Sequence, residues 1–462
     1  QAQLTNHYQS FSTVPLMISM DAEWGVAMRL DSVPKYPWNM TLGAIQDLSL
    51  LSTIGRHMGM QAKRLGVHMN FAPVVDVNIN PNNPIIGNRS FGSDVRRVSA
   101  RALALSQGMN AAGVFTCAKH FPGHGDTSVD SHKALPVLPF TRERLDSIEL
   151  YPYKTPLLQG VQGVMVAHLD VPVLTGEPGL PVSLSHKVTT GLLQKELNFK
   201  GLVFTDALNM KGASDFSPDG DVSLKALLAG NDVLVIPNDL GLSIAHLSEA
   251  LKKGVLTEAR LAYSVKKILA AKYDLGLNQY SPVQLNGLTK DLNQPIYKQT
   301  IDKAYAQAAT YVYQTNTAPI VLKPSDKVAF VAFGEASPAV FKEALQSFGA
   351  QAVAVSDLKN GVQSLKTFDY VVVGHHRSME TAYKAHRFSP EEVALLKDIN
   401  ALSNTTILAV FTKPYAVLDI PFIKEIPLLF FGYQNAPQIQ QYAVQVLYGK
   451  KVALGVLPVS LK

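Results

Sequence analysis

Short apolar runs and longer amphipathic stretches alternate along the first 275 or so residues of the chain. The apolar runs fall at residues 15–21, 68–77, 113–120, 161–170, 201–206 and 231–237. Each is rich in Val, Ile, Phe or Met and lacks clean alternation, which suits strands buried on both faces of a parallel sheet. The stretches between them repeat with helical spacing. Leu48, Leu51, Met58, Ala62 and Leu65 share one face, and Val95, Val98, Ala102, Leu105 and Met109 share another, with Ser93 as its expected N-cap. Residues 257–275 read as a closing helix stopped at Gly276.

Strand–helix units in series predict a parallel α/β fold, here a TIM-like (β/α) barrel over residues 1–277. A closed barrel of this kind has eight strands in about 250 residues. The pattern supplies six, so the barrel is expected to lack its first strands in this chain, with a further segment ahead of Gln1. Residues 278–317, rich in Asn, Gln, Tyr and Pro, read as a partly helical linker. Strand-like runs at 328–333, 352–355, 370–374, 406–411 and 427–431 then predict a smaller α/β sandwich domain with a largely parallel sheet over residues 318–462.

Composition adds a few limits. The chain has 462 residues, 47% of them hydrophobic, which is too long for one typical core and fits two or three domains. Apolar runs of about 18 residues are absent, so no membrane span is expected. The net charge of +6 is scattered rather than blocked, which fits a solvated surface and no nucleic-acid partner. Cys117 is the sole cysteine, sits in an apolar run, and reads as a core residue rather than a nucleophile. The start carries no basic-then-apolar leader pattern and no Met, so a removed leader is expected.

The chemistry gathers at the ends of the apolar runs. They finish in Met20-Asp21, Val75-Asp76, Lys119-His120, His168-Leu-Asp170 and Thr205-Asp206. Barrel enzymes build their sites at the C-terminal ends of strands. A single strand-end Asp is more often a helix cap or loop bonder than a catalyst, but recurrence from strand to strand weakens that reading for the set. In Lys119-His-Phe-Pro-Gly-His-Gly-Asp-Thr-Ser-Val-Asp-Ser-His132 a strand runs into a loop broken by Pro122, Gly123 and Gly125. Asp130 and His132 make a plausible dyad, the carboxylate fixing the imidazole tautomer for proton transfer near neutral pH. Two other readings remain open at this point: metal chelation by His120, His124 and His132, and a Schiff-base role for Lys119.

The same residues carry a resemblance. Lys119-His-Phe-Pro-Gly-His-Gly125 followed by Asp130-Ser-His132 resembles the signature of the β-N-acetylglucosaminidase branch of glycoside hydrolase family 3. Met20-Asp-Ala-Glu-Trp-Gly-Val-Ala-Met-Arg29, Asn70-Phe-Ala-Pro-Val-Val-Asp76, Asn88-Arg-Ser-Phe-Gly92, Val166-Ala-His-Leu-Asp170 and Gly201-Leu-Val-Phe-Thr-Asp-Ala-Leu-Asn-Met210 agree in order and spacing. The C-terminal unit, ending in Gly455-Val-Leu-Pro-Val-Ser-Leu461, is similar to this family's second domain. The resemblance implies a retaining exo-β-N-acetylglucosaminidase that acts on peptidoglycan fragments in the bacterial cell envelope, periplasmic or secreted. It implies Asp206 as nucleophile and His132, oriented by Asp130, as acid/base. Asp21, Arg89, Lys119 and His120 match residues that hold sugar hydroxyls, and Arg29 and His168 match positions lining the pocket. Cofactor and metal are not needed, and the partner is a small carbohydrate.

The sequence departs from that branch at Ala22-Glu-Trp-Gly25, where Trp24 could stack on a sugar or fill the core. Competing readings are a β-glucosidase-like or phosphorolytic enzyme on the same scaffold, and a sugar-binding relative without catalysis. His375, His376 and Arg377 follow a strand of the second unit and read as a solvated loop at a sheet edge, the alternative being that they reach the barrel mouth and contact the substrate.

Overall fold

The computed structural model describes residues 1–217, 221–313, 320–358, 362–383, 387–402 and 405–461. It divides into two compact units. The first comprises residues 1–36, 48–86 and 93–298; the second comprises 37–47, 87–92 and 299–462. Two short segments from the front of the chain thus pack with the second unit, and residues 278–298 pack with the first. The expected boundary between residues 317 and 318 lies outside the described residues.

The first unit is built on a parallel arc in the order β1 (Ser19–Met20), β2 (Met69–Asn70), β3 (Phe115–Phe121), β4 (Gly163–Val166) and β5 (Leu202–Thr205). Its fold is the TIM-like (β/α) barrel type. The run at 231–237 was expected as a sixth strand but contributes only a bridge between Phe204 and Val233. Side chains take over ladder positions there. Val203 N donates to Asp232 Oδ2 at 3.0 Å, and Val235 N donates to Thr205 Oγ1 at 3.0 Å.

Strand burial follows the sequence pattern. Met69, Cys117, Met165, Leu202 and Phe204 pack in one apolar cluster with Ala271 of the helix Glu258–Asp274. Cys117 is fully buried in it, and that burial pushes its thiol up. Thr257 caps this helix, and Gly276 follows at φ +75°. The helix Val95–Ala111 begins at Asp94 rather than Ser93, because the Asp94 carboxylate accepts from Arg97 N at 2.8 Å. It packs tightly on the helix Leu48–Arg64: a Cβ on Gly108 would lie 1.9 Å from Ser52 O.

The second unit is an α/β sandwich. Its sheet runs β6 (Thr310–Tyr313), β11 (Leu428–Phe431), β10 (Thr406–Phe411), β9 (Tyr370–His376), β7 (Val328–Phe333), β8 (Gln351–Ala352), parallel except for β6 against β11. The expected solvated loop at His375 and His376 is corrected. Both are fully buried because β9 continues through them. His376 stacks on Phe411 with ring centres 4.8 Å apart, and His375 stacks on Phe388 at 3.7 Å. Among the described residues, no helix is long and apolar enough to cross a membrane.

Candidate active site

Four strands of the first unit deliver polar side chains at their C-terminal ends. Asp21 follows β1, Lys119 and His120 lie near the end of β3, His168 follows β4, and Asp206 follows β5. The register between β3 and β4 shifts between Lys119 and Phe121. That irregularity falls where two consecutive polar side chains both enter the interior, an arrangement strict strand alternation would forbid.

Lys119 is buried and makes two ion pairs, 2.7 Å to Asp21 Oδ1 and 2.9 Å to Glu23 Oε1. It therefore serves as a fixed cation, which weighs against the Schiff-base reading, where a neutral amine must attack. Arg29 reaches the other side of Asp21: Nη2 donates to Oδ2 at 3.1 Å, and Nε donates to the Asp21 carbonyl at 3.1 Å. Asp21 keeps about a third of its side chain open, at 36%. A partly open carboxylate clamped between two cations is well suited to hold neutral hydroxyls in fixed positions. Trp24, beside this cluster in sequence, is half-buried.

His120 is oriented from below. Asp76 Oδ2 lies 2.6 Å from His120 Nδ1, and Asp76 Oδ1 accepts the backbone N–H groups of His120 (3.2 Å) and His124 (2.6 Å). Burial alone would raise the Asp76 carboxyl, but His120 and His124 outweigh it and hold the group below the usual carboxylate range. With Nδ1 committed to Asp76, the tautomer and orientation of the His120 ring are set by that carboxylate. The sequence marked Asp76 only as a strand end and gave Glu23 no role. Their signal was faint: each is a carboxylate at or just past the end of an apolar run.

Asp206 keeps part of its surface open and is anchored by its own backbone N–H to Val166 O at 2.9 Å. Burial would raise its carboxyl, yet His120, His168, the Ala207 N–H (2.8 Å to Oδ1) and Lys119 together hold it low. It is thus an ionised carboxylate in an electropositive pocket, which is what a nucleophile toward an electron-poor carbon requires. His168 is fully buried with both ring nitrogens engaged, Nδ1 with Ser183 Oγ at 2.8 Å and Nε2 with Ala207 O at 3.1 Å. Burial lowers its pKa, and its Nε2–H donates to Ala207 O and braces the Asp206–Ala207 turn.

Asp130 and His132 occupy the loop after β3. Asp130 Oδ1 lies 2.9 Å from His132 Nδ1 and accepts the His132 backbone N–H at 2.9 Å. Burial works to raise Asp130, but those two hydrogen bonds prevail and lower it. The ring is therefore held with Nδ1–H toward the carboxylate and Nε2 left to exchange protons. Its side chain is 59% exposed. Arg89 is positioned differently. Its turn, Gly87–Arg89, belongs to the second unit, where Arg89 O accepts from Asn39 Nδ2 at 2.7 Å.

The chelate reading loses its second donor in this geometry. His124 spends Nδ1 on Thr127 Oγ1 (2.7 Å) and Nε2 on Ser131 Oγ (3.1 Å). A separate cavity of about 410 Å³ opens at the strand starts near Phe115, Gly201 and Leu202, and its lining includes none of the strand-end residues above.

Comparison with known proteins agrees with this geometry. The family model described as "Glycosyl hydrolase family 3 N terminal domain" matches residues 1–271. "Beta-hexosaminidase A" of Pseudoalteromonas piscicida is 30% identical over 406 residues, covering 81% of this chain and 67% of that protein. "Beta-N-acetylglucosaminidase/beta-glucosidase" of Cellulomonas fimi is 26% identical over 483 residues, covering 98% of this chain and 85% of that one. Among solved structures, a glycoside hydrolase family 3 β-N-acetylglucosaminidase from Paenibacillus sp. str. FPU-7 superposes with a TM-score of 0.81 at 31% identity, over 100% of this chain and 90% of that one.

Proposed function

Because the chain belongs to glycoside hydrolase family 3 and is a glycosidase, we propose that it is a retaining exo-β-N-acetylglucosaminidase. In this reading Asp206 is the nucleophile and Asp130–His132 the acid/base dyad. The observation that carries it is the pairing of an ionised Asp206, held low by His120 and Lys119, with an exposed imidazole whose Nδ1 is tied to a carboxylate.

The chemistry runs in two displacements. The imidazolium of His132 donates its Nε2 proton to the glycosidic oxygen while an Asp206 carboxylate oxygen attacks the anomeric carbon from the opposite face. The bond to the aglycone breaks, leaving a glycosyl ester on Asp206. Neutral His132 then takes a proton from water as that water attacks the same carbon and releases Asp206. Two inversions give retention. An imidazole replaces the second carboxylate most retaining glycosidases use, and Asp130 stabilises its charged form.

Asp21, Lys119 and His120, with Arg29, fix the hydroxyls of the terminal sugar, and His168 braces the nucleophile turn. Fixed geometry of this kind is worth several kcal/mol of barrier. The N-acetylglucosamine preference follows the β-N-acetylglucosaminidase activity named for the relatives in Paenibacillus and Cellulomonas, the latter named a β-glucosidase as well, and fits the hexosaminidase named in Pseudoalteromonas. We extend it to peptidoglycan fragments, for which the expected compartment is the bacterial cell envelope, periplasmic or secreted.

The test is aryl-alcohol release from an aryl β-N-acetylglucosaminide and from the matching β-glucoside, with and without phosphate, for wild type and His132→Ala. The reading expects preference for the N-acetyl sugar, free sugar as product, and a loss of roughly 100-fold or more in the variant. Preference for the glucoside, or sugar phosphate as the main product, would replace it with the glucosidase or phosphorolytic alternative.

A further inference from the structure

The loop that bears the dyad is not uniformly exposed. Val129, His132 and Lys133 are exposed, while Ser131, between the two dyad residues, is 2% exposed. Its hydroxyl and its carbonyl are both taken. Ser131 Oγ lies 3.1 Å from His124 Nε2, and Ser131 O accepts from Gly212 N at 3.1 Å.

The direction of the first contact follows from hydrogen-bond accounting. Thr127 Oγ1 donates its one proton to His124 O at 3.1 Å, so it must accept from His124 Nδ1 at 2.7 Å. His124 is buried, and that burial lowers its pKa to about 4, so the ring is neutral. With the proton on Nδ1, Nε2 is an acceptor, and the Ser131 hydroxyl donates to it. His124 is itself fixed, because its backbone N–H donates to Asp76 Oδ1 at 2.6 Å and its carbonyl accepts from Asn83 Nδ2 at 2.9 Å.

Ser131 is therefore joined on one side to the carboxylate that orients His120. On the other it is joined to Gly212, in the segment that follows Asp206. We propose that the His124–Ser131 hydrogen bond is a latch that sets where the Asp130–His132 dyad stands relative to the nucleophile, making His124 and Ser131 positioning residues for proton transfer. This rests on the dyad reading above. Protonating one oxygen demands placement to a fraction of an ångström, and a buried anchor between the two dyad residues supplies it.

The experiment uses two β-N-acetylglucosaminides, one with a 2,4-dinitrophenyl leaving group that departs without proton donation and one with a methylumbelliferyl group that needs it. Four variants are compared with wild type: Ser131→Ala, His124→Leu, His124→Gln and His132→Ala. The latch predicts that Ser131→Ala and His124→Leu lose roughly 10- to 100-fold in kcat/KM for the methylumbelliferyl substrate and change the dinitrophenyl value less than about threefold. Azide, which attacks the glycosyl-enzyme without a base, should raise their dinitrophenyl kcat. His124→Gln, whose amide oxygen can accept from Ser131, should recover most of the loss.

Equal losses on both substrates would mean general damage to the fold and would overturn the latch, as would wild-type behaviour of both Ser131→Ala and His124→Leu. His132→Ala separates the two levels. If it shows the leaving-group dependence and the latch variants do not, the latch alone is wrong; if it shows none, the dyad reading fails and the latch with it.

Discussion

Two regions of the first unit hold catalytic-type groups in opposite ways. Around Asp76, Lys119, His120 and Asp206 the polar groups are wholly or partly buried, closely paired, and held in place by their neighbours. At Asp130–His132 the imidazole stands largely in water with one carboxylate partner. The difference matches the tasks proposed for them. A group that binds a sugar or attacks carbon gains from an unchanging charge and position. A group that must give a proton and later take one needs access to both the leaving oxygen and water.

The largest way to break this contrast lies in the buried region. Asp206→Asn should lose at least about 1,000-fold in kcat with little change in folding, because it removes the attacking oxygen while keeping the shape. Near wild-type steady-state turnover would remove Asp206 from the role. Next comes Asp76→Ala. It leaves His120 Nδ1 and the His124 N–H without their buried acceptor, and should cost about 3–5 kcal/mol of stability in denaturant melts along with activity. A loss below about 1 kcal/mol would mean that the network does not depend on this carboxylate.

The smallest effect is a pH dependence of stability, and it separates two buried groups. His124 has a folded pKa lowered to about 4, so its contribution is present above about 6.5 and is lost as pH falls toward 4. Glu149 is the opposite case. Burial raises it to about 7 despite its 2.6 Å pair with Arg144, so its contribution is present below about 4.5 and is lost as pH rises through 7. Between about pH 4.5 and 6.5 the two oppose each other. Melting temperatures of His124→Gln should therefore fall less than wild type on acidification, and those of Glu149→Gln should fall more. The same slope in all three proteins would contradict both assignments.

The contrast also explains what could be read from the chain. The apolar runs located all five strands of the first sheet, since strands buried on both faces leave an unbroken apolar signature. The sixth run was over-read because the oxygens of Asp232 and Thr205 substitute for backbone ladder bonds, which hydrophobicity does not record. In the second unit the pattern does not mark β6, and His375 and His376 read as a loop, because two histidines in a row look polar until a sheet surrounds them. Lys119, His120, Asp130 and His132 were legible as a broken-loop motif. Their supports, Asp76, Glu23, His124 and Ser131, were not, since a positioning residue is defined by a partner far away in sequence. Asp76 and His120 are 44 positions apart.

The central claim, that Asp206 forms a covalent glycosyl ester in a retaining reaction, is tested most directly by acid-quenching His132→Ala during turnover of the dinitrophenyl β-N-acetylglucosaminide and mapping the peptides by mass spectrometry. Slow release of the sugar in that variant should let the intermediate accumulate. The account predicts one N-acetylhexosamine on the peptide containing Asp206, with wild-type enzyme releasing the β-anomer first. A label on another residue, or the α-anomer as first product, would contradict it.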